Sequence, residues 1–140
     1  MSNPEYLSRF IEAARRVGAE VKQLDSLADG GVYIAERSTG TTLVPATHLA
    51  EKHRLPELLR ESGVDVFNGN FRQAGSFPAA GVTFSNFAMS DTGTIALEST
   101  SEDVRLATTL PELHFVFVDP ATILADNLAA AQPMNELHRG

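Results

Sequence analysis

Residues 113–118 read Leu-His-Phe-Val-Phe-Val, a nearly continuous apolar run that predicts a β-strand buried on both faces. A short helix is predicted just before this strand, over 102–109, and Pro111 prevents its continuation because proline disfavours helical geometry in the residue before it. A closing helix is predicted after the strand, over 121–137. Alternating helices and strands of this kind predict an α/β fold with a mixed sheet covered by helices.

Further strands are predicted upstream of this run. Val82–Met89 and Thr94–Leu97 are apolar segments joined by the turn Ser90–Gly93, and they form the clearest pair in the chain. Four more segments have strand-like composition: Ala19–Leu24, Val32–Ala35, Thr41–Val44 and Val64–Phe67. The first two of these are separated by only residues 25–31, too few for a parallel crossover, so these two strands are expected to be either antiparallel neighbours or not adjacent.

The first half also contains helical patterns. Apolar residues recur at helical spacing from Tyr6 to Val17, and Gly18 is expected to end that helix. Pro45–Gly63 has helical composition with a break at Pro56. The longest irregular stretch, Phe71–Gly81, is the candidate for a mobile loop or partner surface.

Composition excludes several functional classes. The chain has 140 residues, which predicts one domain over 1–140, and its net charge of −7 argues against nonspecific nucleic-acid binding. No apolar run approaches the roughly 18 residues that a membrane span needs. The first residues lack the apolar core of a signal peptide, so a cytoplasmic location is expected. The sequence has no cysteine and therefore no thiolate for an iron–sulfur cluster.

The turn Asp91–Thr92–Gly93–Thr94 is the main candidate for a ligand site. Glycine lets the backbone approach a ligand, and the amides and hydroxyls of a turn can bind a carboxylate or phosphate. A tight hairpin turn alone explains the same residues. The tetrapeptide is also similar to the Asp-Thr-Gly of dimeric aspartic proteases, which would make Asp91 catalytic, but those enzymes are nearly all β.

Two more side chains are candidates for the same site. Arg105 could bind a carboxylate through two parallel hydrogen bonds, or form an ion pair with Glu102 or Glu98. His114 opens the last apolar strand and could exchange a proton with a ligand, or be a hydrogen-bonded core histidine.

Other polar residues are weaker candidates. Asn68, Asn70 and Arg72 follow the predicted strand Val64–Phe67, where ligands of open α/β sheets bind, but such residues more often cap loops. His48 and His53 are five residues apart and do not share a helix face as a metal pair would. No metal site is expected.

Two stretches resemble the LUD (lactate-utilization) domain family. The first, over 82–98, reads VTFSNFAMSDTGTIALE, and the second, over 105–114, reads RLATTLPELH. In this family an acidic residue precedes a Thr/Ser-Gly-Thr/Ser turn, and an arginine then leads to Leu-Pro and to a histidine that opens an apolar strand. Order and spacing match here. The chain is shorter than the usual member, and no helix is predicted after its first strand.

The resemblance implies a fold like the NagB/RpiA/CoA-transferase group and a role in oxidising L-lactate to pyruvate. It implies that this chain is a subunit or accessory protein beside iron–sulfur subunits. This chain itself would bind no cofactor, because any cluster would belong to those partners. Its ligand would be a small carboxylate or phosphate held by Asp91–Thr94, Arg105 and His114. The alternative function is that of a non-catalytic module that binds a small anion or a partner. Assembly of this chain into a homo-oligomer is compatible with either function.

Overall fold

The computed structural model describes residues 3–73, 78–97 and 102–124. These residues contain five α-helices, six short strands and two 3₁₀ turns. In chain order they are α1 (Asn3–Arg16), α2 (Leu27–Arg37), β1 (Thr42–Leu43), α3 (His48–Lys52), α4 (Leu55–Glu61), the 3₁₀ turn Phe71–Gln73, β2 (Ala80–Phe84), β3 (Phe87–Met89), β4 (Thr94–Ala96), α5 (Glu102–Thr109), β5 (Leu113–Phe117), the 3₁₀ turn Pro120–Thr122 and β6 (Ile123–Leu124). They form two compact units.

Unit 1 contains α1 and a three-stranded mixed sheet. Its strand order is β4-β3-β6, with β3 antiparallel to β4 and parallel to β6. The apolar face of α1 packs on this sheet, since Phe10, Ile11 and Ala14 share a buried cluster with Ala88 and Ile123. Burial of this face stabilises the helix, because isolated helices of this length are marginal in water.

Unit 2 is built on the parallel sheet β1-β2-β5. Val66 adds a single parallel bridge to Thr42 on the outer side of β1. All five residues of the central strand β2 are buried, as expected for a parallel strand covered on both faces. On one face, the backbone of α5 comes so close to Gly81 that a side chain there would meet the carbonyl oxygen of Ala107.

The other face of the unit 2 sheet carries the larger core. Residues of the sheet and of α2, α3 and α4 share one buried cluster: Ile34, Val44, Ala50, Leu55, Leu59, Val64, Val82, Phe84 and Phe117. Helices therefore cover both faces of this sheet, and the α/β fold expected from the sequence is confirmed.

Several predicted elements are confirmed. Helix α1 ends before Gly18, which has a positive φ of 98°. The helical stretch 45–63 is divided as expected, with Pro56 in the first turn of α4. Helix α5 spans the predicted residues 102–109, and the predicted strands around the turn 90–93 pair as β3 and β4. The predicted strand 82–89 is two strands, because the chain leaves the unit 2 sheet at Phe84 and enters the unit 1 sheet at Phe87.

The prediction for residues 19–35 is wrong. No strand forms over 19–24, and 32–35 belong to α2, the helix that the sequence reasoning did not expect. The side chain of Ser26 caps α2 by accepting a hydrogen bond from the Asp29 amide at 3.2 Å. Gly30 and Gly31 disfavour a helix, but a side chain at Gly30 would meet the Phe117 ring and one at Gly31 would meet Ser62. Tight packing therefore explains these glycines.

Three further expectations also change. Strand β5 forms where expected, but its first residues Leu113 and His114 are exposed because β5 is the last strand in its sheet. Strand 64–67 is reduced to the bridge at Val66. Residues 121–124, where the closing helix was expected to start, belong to a 3₁₀ turn and to strand β6, which pairs with β3. The rest of the predicted closing helix and residues 74–77 of the predicted loop 71–81 lie outside the described residues.

Candidate functional site

The candidate turn Asp91–Thr94 connects the antiparallel strands β3 and β4 in unit 1. Met89 pairs with Thr94, and the Gly93 amide donates a hydrogen bond to the Met89 carbonyl oxygen at 3.1 Å. Gly93 has φ of 68°, in the left-handed region that favours glycine. The turn is thus a tight hairpin connection, which is the purely structural of the two interpretations drawn from the sequence.

Gly93 is also the point where the turn touches α1. A Cβ atom at this residue would lie 2.5 Å from the Ala14 nitrogen and 2.8 Å from the Ala13 carbonyl carbon. The glycine therefore allows a close approach to a helix, whereas the sequence reasoning expected a close approach to a ligand. Since its amide is already bonded within the turn, this geometry gives no support to Gly93 as a direct ligand contact.

The other side chains of the turn are available to solvent. Asp91, Thr92 and Thr94 are all exposed, and the two threonine hydroxyls are hydrogen-bonded to each other at 2.8 Å. Because one hydroxyl of such a pair donates to the other, a single O–H remains to donate outward. Rotation of the hydroxyls would let both donate to the two oxygens of a carboxylate.

A positive charge stands beside the turn, and the sequence reasoning missed it. Nη1 of Arg9 in α1 lies 3.4 Å from Oδ1 of Asp91, and the two side chains are 53% and 49% exposed. No local pattern indicates this pair, because 82 residues separate its members. Exposed pairs of this kind are worth about 0–1 kcal/mol, so the guanidinium can exchange partners at little cost.

His114 lies in unit 2 and has a buried partner. Its Nε2 is 2.9 Å from the hydroxyl of Thr83 in the neighbouring strand β2. Desolvation of the ring lowers the pKa of His114 below its ordinary value of 6.5, although much of the residue is exposed. His114 is therefore neutral at physiological pH. The core-histidine interpretation is right about the hydrogen bond, but the residue as a whole is exposed rather than in the core.

Arg105, the remaining candidate, lies on α5 in unit 2 and is exposed. Its backbone carbonyl accepts hydrogen bonds from the Thr108 and Thr109 hydroxyls at 3.0 and 2.7 Å. Glu102, one expected partner of its guanidinium, forms an ion pair with Arg72. The six candidates therefore divide into the turn Asp91–Thr94 in unit 1 and the pair Arg105 and His114 in unit 2.

The weaker candidates have structural roles. Oδ1 of Asn70 accepts a hydrogen bond from the Arg72 amide at 3.0 Å, which is a loop cap. His53 stacks on Phe84 with ring centroids 4.6 Å apart. Within the described ranges there is no group of three or more His, Cys, Asp or Glu side chains that could hold a metal ion.

The structure removes the basis of the protease hypothesis. Dimeric aspartic proteases are nearly all β, whereas Asp91 here belongs to an α/β chain and pairs with an arginine on a helix. Among the residues that the structure describes, no helix is both long and apolar enough to cross a membrane.

Comparison with known proteins identifies the family. The model of the LUD domain matches residues 7–139. The crystal structure of a DUF162 family protein from Deinococcus radiodurans is similar to this chain with a TM-score of 0.76 and 17% sequence identity, over 99% of this chain and 84% of that chain. At that identity the likeness shows the fold alone. No curated protein matches. Because the family model covers nearly the whole sequence, this chain belongs to the LUD domain family.

Proposed function

We propose that this chain is a subunit or accessory protein of an L-lactate utilization system, in which lactate is oxidised to pyruvate. Its own part is to bind a small carboxylate, lactate or pyruvate, at the turn Asp91–Thr94. The family supports the biological role. The observation that carries the binding role is the exposed hydroxyl pair of Thr92 and Thr94 with Arg9 beside it.

The turn offers two kinds of contact to a carboxylate. The hydroxyls of Thr92 and Thr94 supply neutral donors, and Arg9 supplies a positive charge. Asp91 repels an anion, and Arg9 offsets that repulsion. Arg105 and His114 stay predictions for further ligand contacts. Since lactate has few atoms to contact and this turn is exposed, the Kd should be on the order of 1 mM, or about −4 kcal/mol.

Electron transfer is assigned to other subunits. The sequence contains no cysteine that could ligate an iron–sulfur cluster. Oxidation of lactate to pyruvate removes two electrons and two protons, and in this proposal the clusters of partner subunits accept the electrons.

Titration followed by amide NMR tests the binding role. L-lactate, pyruvate and inorganic phosphate are added to the labelled chain, and we expect saturable shifts in the amides around Thr92 for at least one carboxylate. The variant Thr92→Val/Thr94→Val should weaken binding at least tenfold. Thr39→Val, which changes another exposed threonine in unit 2, is the matched control and should bind normally. Linear, non-saturating shifts for every compound would refute the binding role.

Growth and co-purification test the biological role. A strain lacking this chain should grow poorly on L-lactate and normally on glucose, and the tagged chain should recover an iron–sulfur protein. Normal growth on lactate together with no such partner would overturn the assignment to lactate utilization. If saturable binding survives that result, the chain is the small-anion module that the sequence left as the alternative.

A further inference from the structure

A hydrogen bond joins Thr83 on β2 to His114 on the neighbouring strand β5. Thr83 lies on the central strand β2 and its side chain is only 3% exposed, because α5 covers this face of the sheet. In the parallel register His114 stands opposite Gly81, two residues before Thr83 and on the same face. Gly81 itself is covered by the α5 backbone, and the imidazole of His114 reaches along the same face to within 2.9 Å of the Thr83 hydroxyl.

The buried hydroxyl determines the direction of this hydrogen bond. A buried O–H group needs an acceptor, and an unsatisfied one costs about 1–3 kcal/mol. Among the described residues, Nε2 of His114 is the acceptor within reach of the Thr83 hydroxyl. The hydroxyl therefore donates and Nε2 accepts, so Nε2 carries no proton.

The second nitrogen of the ring follows from the first. In a neutral imidazole one nitrogen carries the proton and the other accepts. With Nε2 as the acceptor, the proton is on Nδ1. Protonation of the ring would place a second donor opposite the Thr83 hydroxyl and leave that buried O–H without an acceptor. Partial desolvation acts in the same direction, since it also disfavours the charged ring.

We propose that Thr83 is a positioning residue that holds His114 as the neutral Nδ1–H tautomer, and that Nδ1–H donates a hydrogen bond to an oxygen of a small carboxylate ligand. His114 is an exposed residue, and its two ring nitrogens point in divergent directions, so the bond of Nε2 to Thr83 leaves Nδ1 pointing away from that hydroxyl. A neutral donor of this kind can stabilise negative charge on a carboxylate or keto oxygen without giving up its proton. The identity of the ligand rests on the proposed function, whereas the tautomer does not.

Nitrogen NMR of the histidine rings tests the tautomer without any ligand. Two-bond proton–nitrogen spectra are recorded at about pH 8, above the ordinary histidine pKa of about 6.5. The His114 signals are assigned by their loss in His114→Gln. We expect a protonated Nδ1 and an unprotonated Nε2. A protonated Nε2 in the wild-type chain overturns the proposal, whatever any variant does.

Two variants test the role of the hydroxyl. Thr83→Val keeps the branched shape and removes the donor, so the Nε2 signal should move towards that of an unprotonated nitrogen with no hydrogen bond. Thr83→Ser keeps the donor and should restore the wild-type signal. The rings of His48 and His53 serve as internal controls for folding. An unchanged Nε2 signal in a folded Thr83→Val chain refutes the positioning role. If Thr83→Val does not fold, the wild-type and Thr83→Ser spectra still decide the tautomer.

Addition of L-lactate or pyruvate separates this inference from the proposed function. A saturable shift of the His114 Nδ1–H signal supports the ligand role of His114, and saturable shifts at Thr92 support the proposed function. Saturable shifts at Thr92 without any response of Nδ1–H overturn the ligand role of His114 and leave the proposed function standing. No saturable response at either place refutes the proposed binding, and the ligand role of His114 falls with it.

Discussion

Gly93 lies so close to α1 that a Cβ atom on it would stand 2.5 Å from the backbone nitrogen of Ala14. Ala14 is 5% exposed, and it belongs to the helix face that packs on the unit 1 sheet. The candidate turn is thus held from one side by a helix backbone, while Asp91, Thr92 and Thr94 remain exposed. A backbone fixed in this way favours ligand binding, since less backbone entropy is then lost when the ligand binds.

Gly93→Ala should be strongly destabilising. Its φ of 68° is unfavourable for a residue with a side chain, and the new methyl group would overlap with the α1 backbone, which cannot rotate away as a side chain can. We expect a loss of about 2–4 kcal/mol in the free energy of unfolding, measured by urea titration.

Gly18→Ala is the matched control for Gly93→Ala. Gly18 also has a positive φ, of 98°, but its added Cβ atom would meet nothing within 4 Å. This variant should lose only the conformational part, about 1–2 kcal/mol. Equal losses for the two variants would mean that contact with α1 contributes nothing at Gly93.

Local signals in the sequence predicted local elements. The apolar stripe of α1, the turn between β3 and β4, and the helix α5 ended by Leu110–Pro111 each depend on neighbouring residues, and each appears in the structure. Helix α2 was missed because the run from Val32 to Ala35 looks like a strand and two glycines precede it. Those glycines are explained only by Phe117 and Ser62, which are distant in sequence.

The candidate site, like the fold, was predictable only where its features are local in the sequence. The turn Asp91–Thr94 is a local feature and was found from its residues. The contribution of Arg9 depends on packing of α1 against the hairpin, and the partner of His114 depends on the register of β2 with β5. Neither relationship has a sequence signal, because each joins segments that only the fold brings together.

Ser26→Ala tests the helix that the sequence reasoning missed. The Ser26 side chain accepts a hydrogen bond from the Asp29 amide, which otherwise lacks a partner in the first turn of α2. Loss of this cap should lower the free energy of unfolding by about 1 kcal/mol, measured by urea titration. Ser8→Ala, at an exposed position inside α1, removes the same hydroxyl without removing a cap and should cost nothing. A neutral Ser26→Ala would contradict the assigned start of α2.

A double-mutant cycle of Arg9→Gln and Asp91→Asn measures how firmly the guanidinium is held beside the turn. Both side chains are about half exposed and 3.4 Å apart, so we expect a coupling energy of about 0–1 kcal/mol that disappears in 1 M salt. The control cycle uses Glu12→Gln and Arg16→Gln, an exposed pair one helix turn apart at 3.0 Å. A coupling well above that of the control would contradict an Arg9 that is free to bind a ligand.

The pH dependence of stability reports on His114. Partial desolvation lowers its pKa in the folded chain below 6.5, so the unfolded chain takes up the proton first as the pH falls. Well above pH 6.5 the ring is neutral in both states and the effect is absent. Stability is lost as the pH drops from there through the folded pKa.

Asp and Glu residues also titrate at the lower end, so the informative quantity is the difference in pH dependence between wild type and His114→Gln. That variant gives up the bond to Thr83 and is less stable above pH 6.5, but its stability should fall less steeply from about pH 7 to pH 5, measured by urea titration at each pH. Parallel curves would mean that His114 has the same pKa in the folded and unfolded chain, and a steeper fall in the variant would mean that the folded chain binds the proton more tightly.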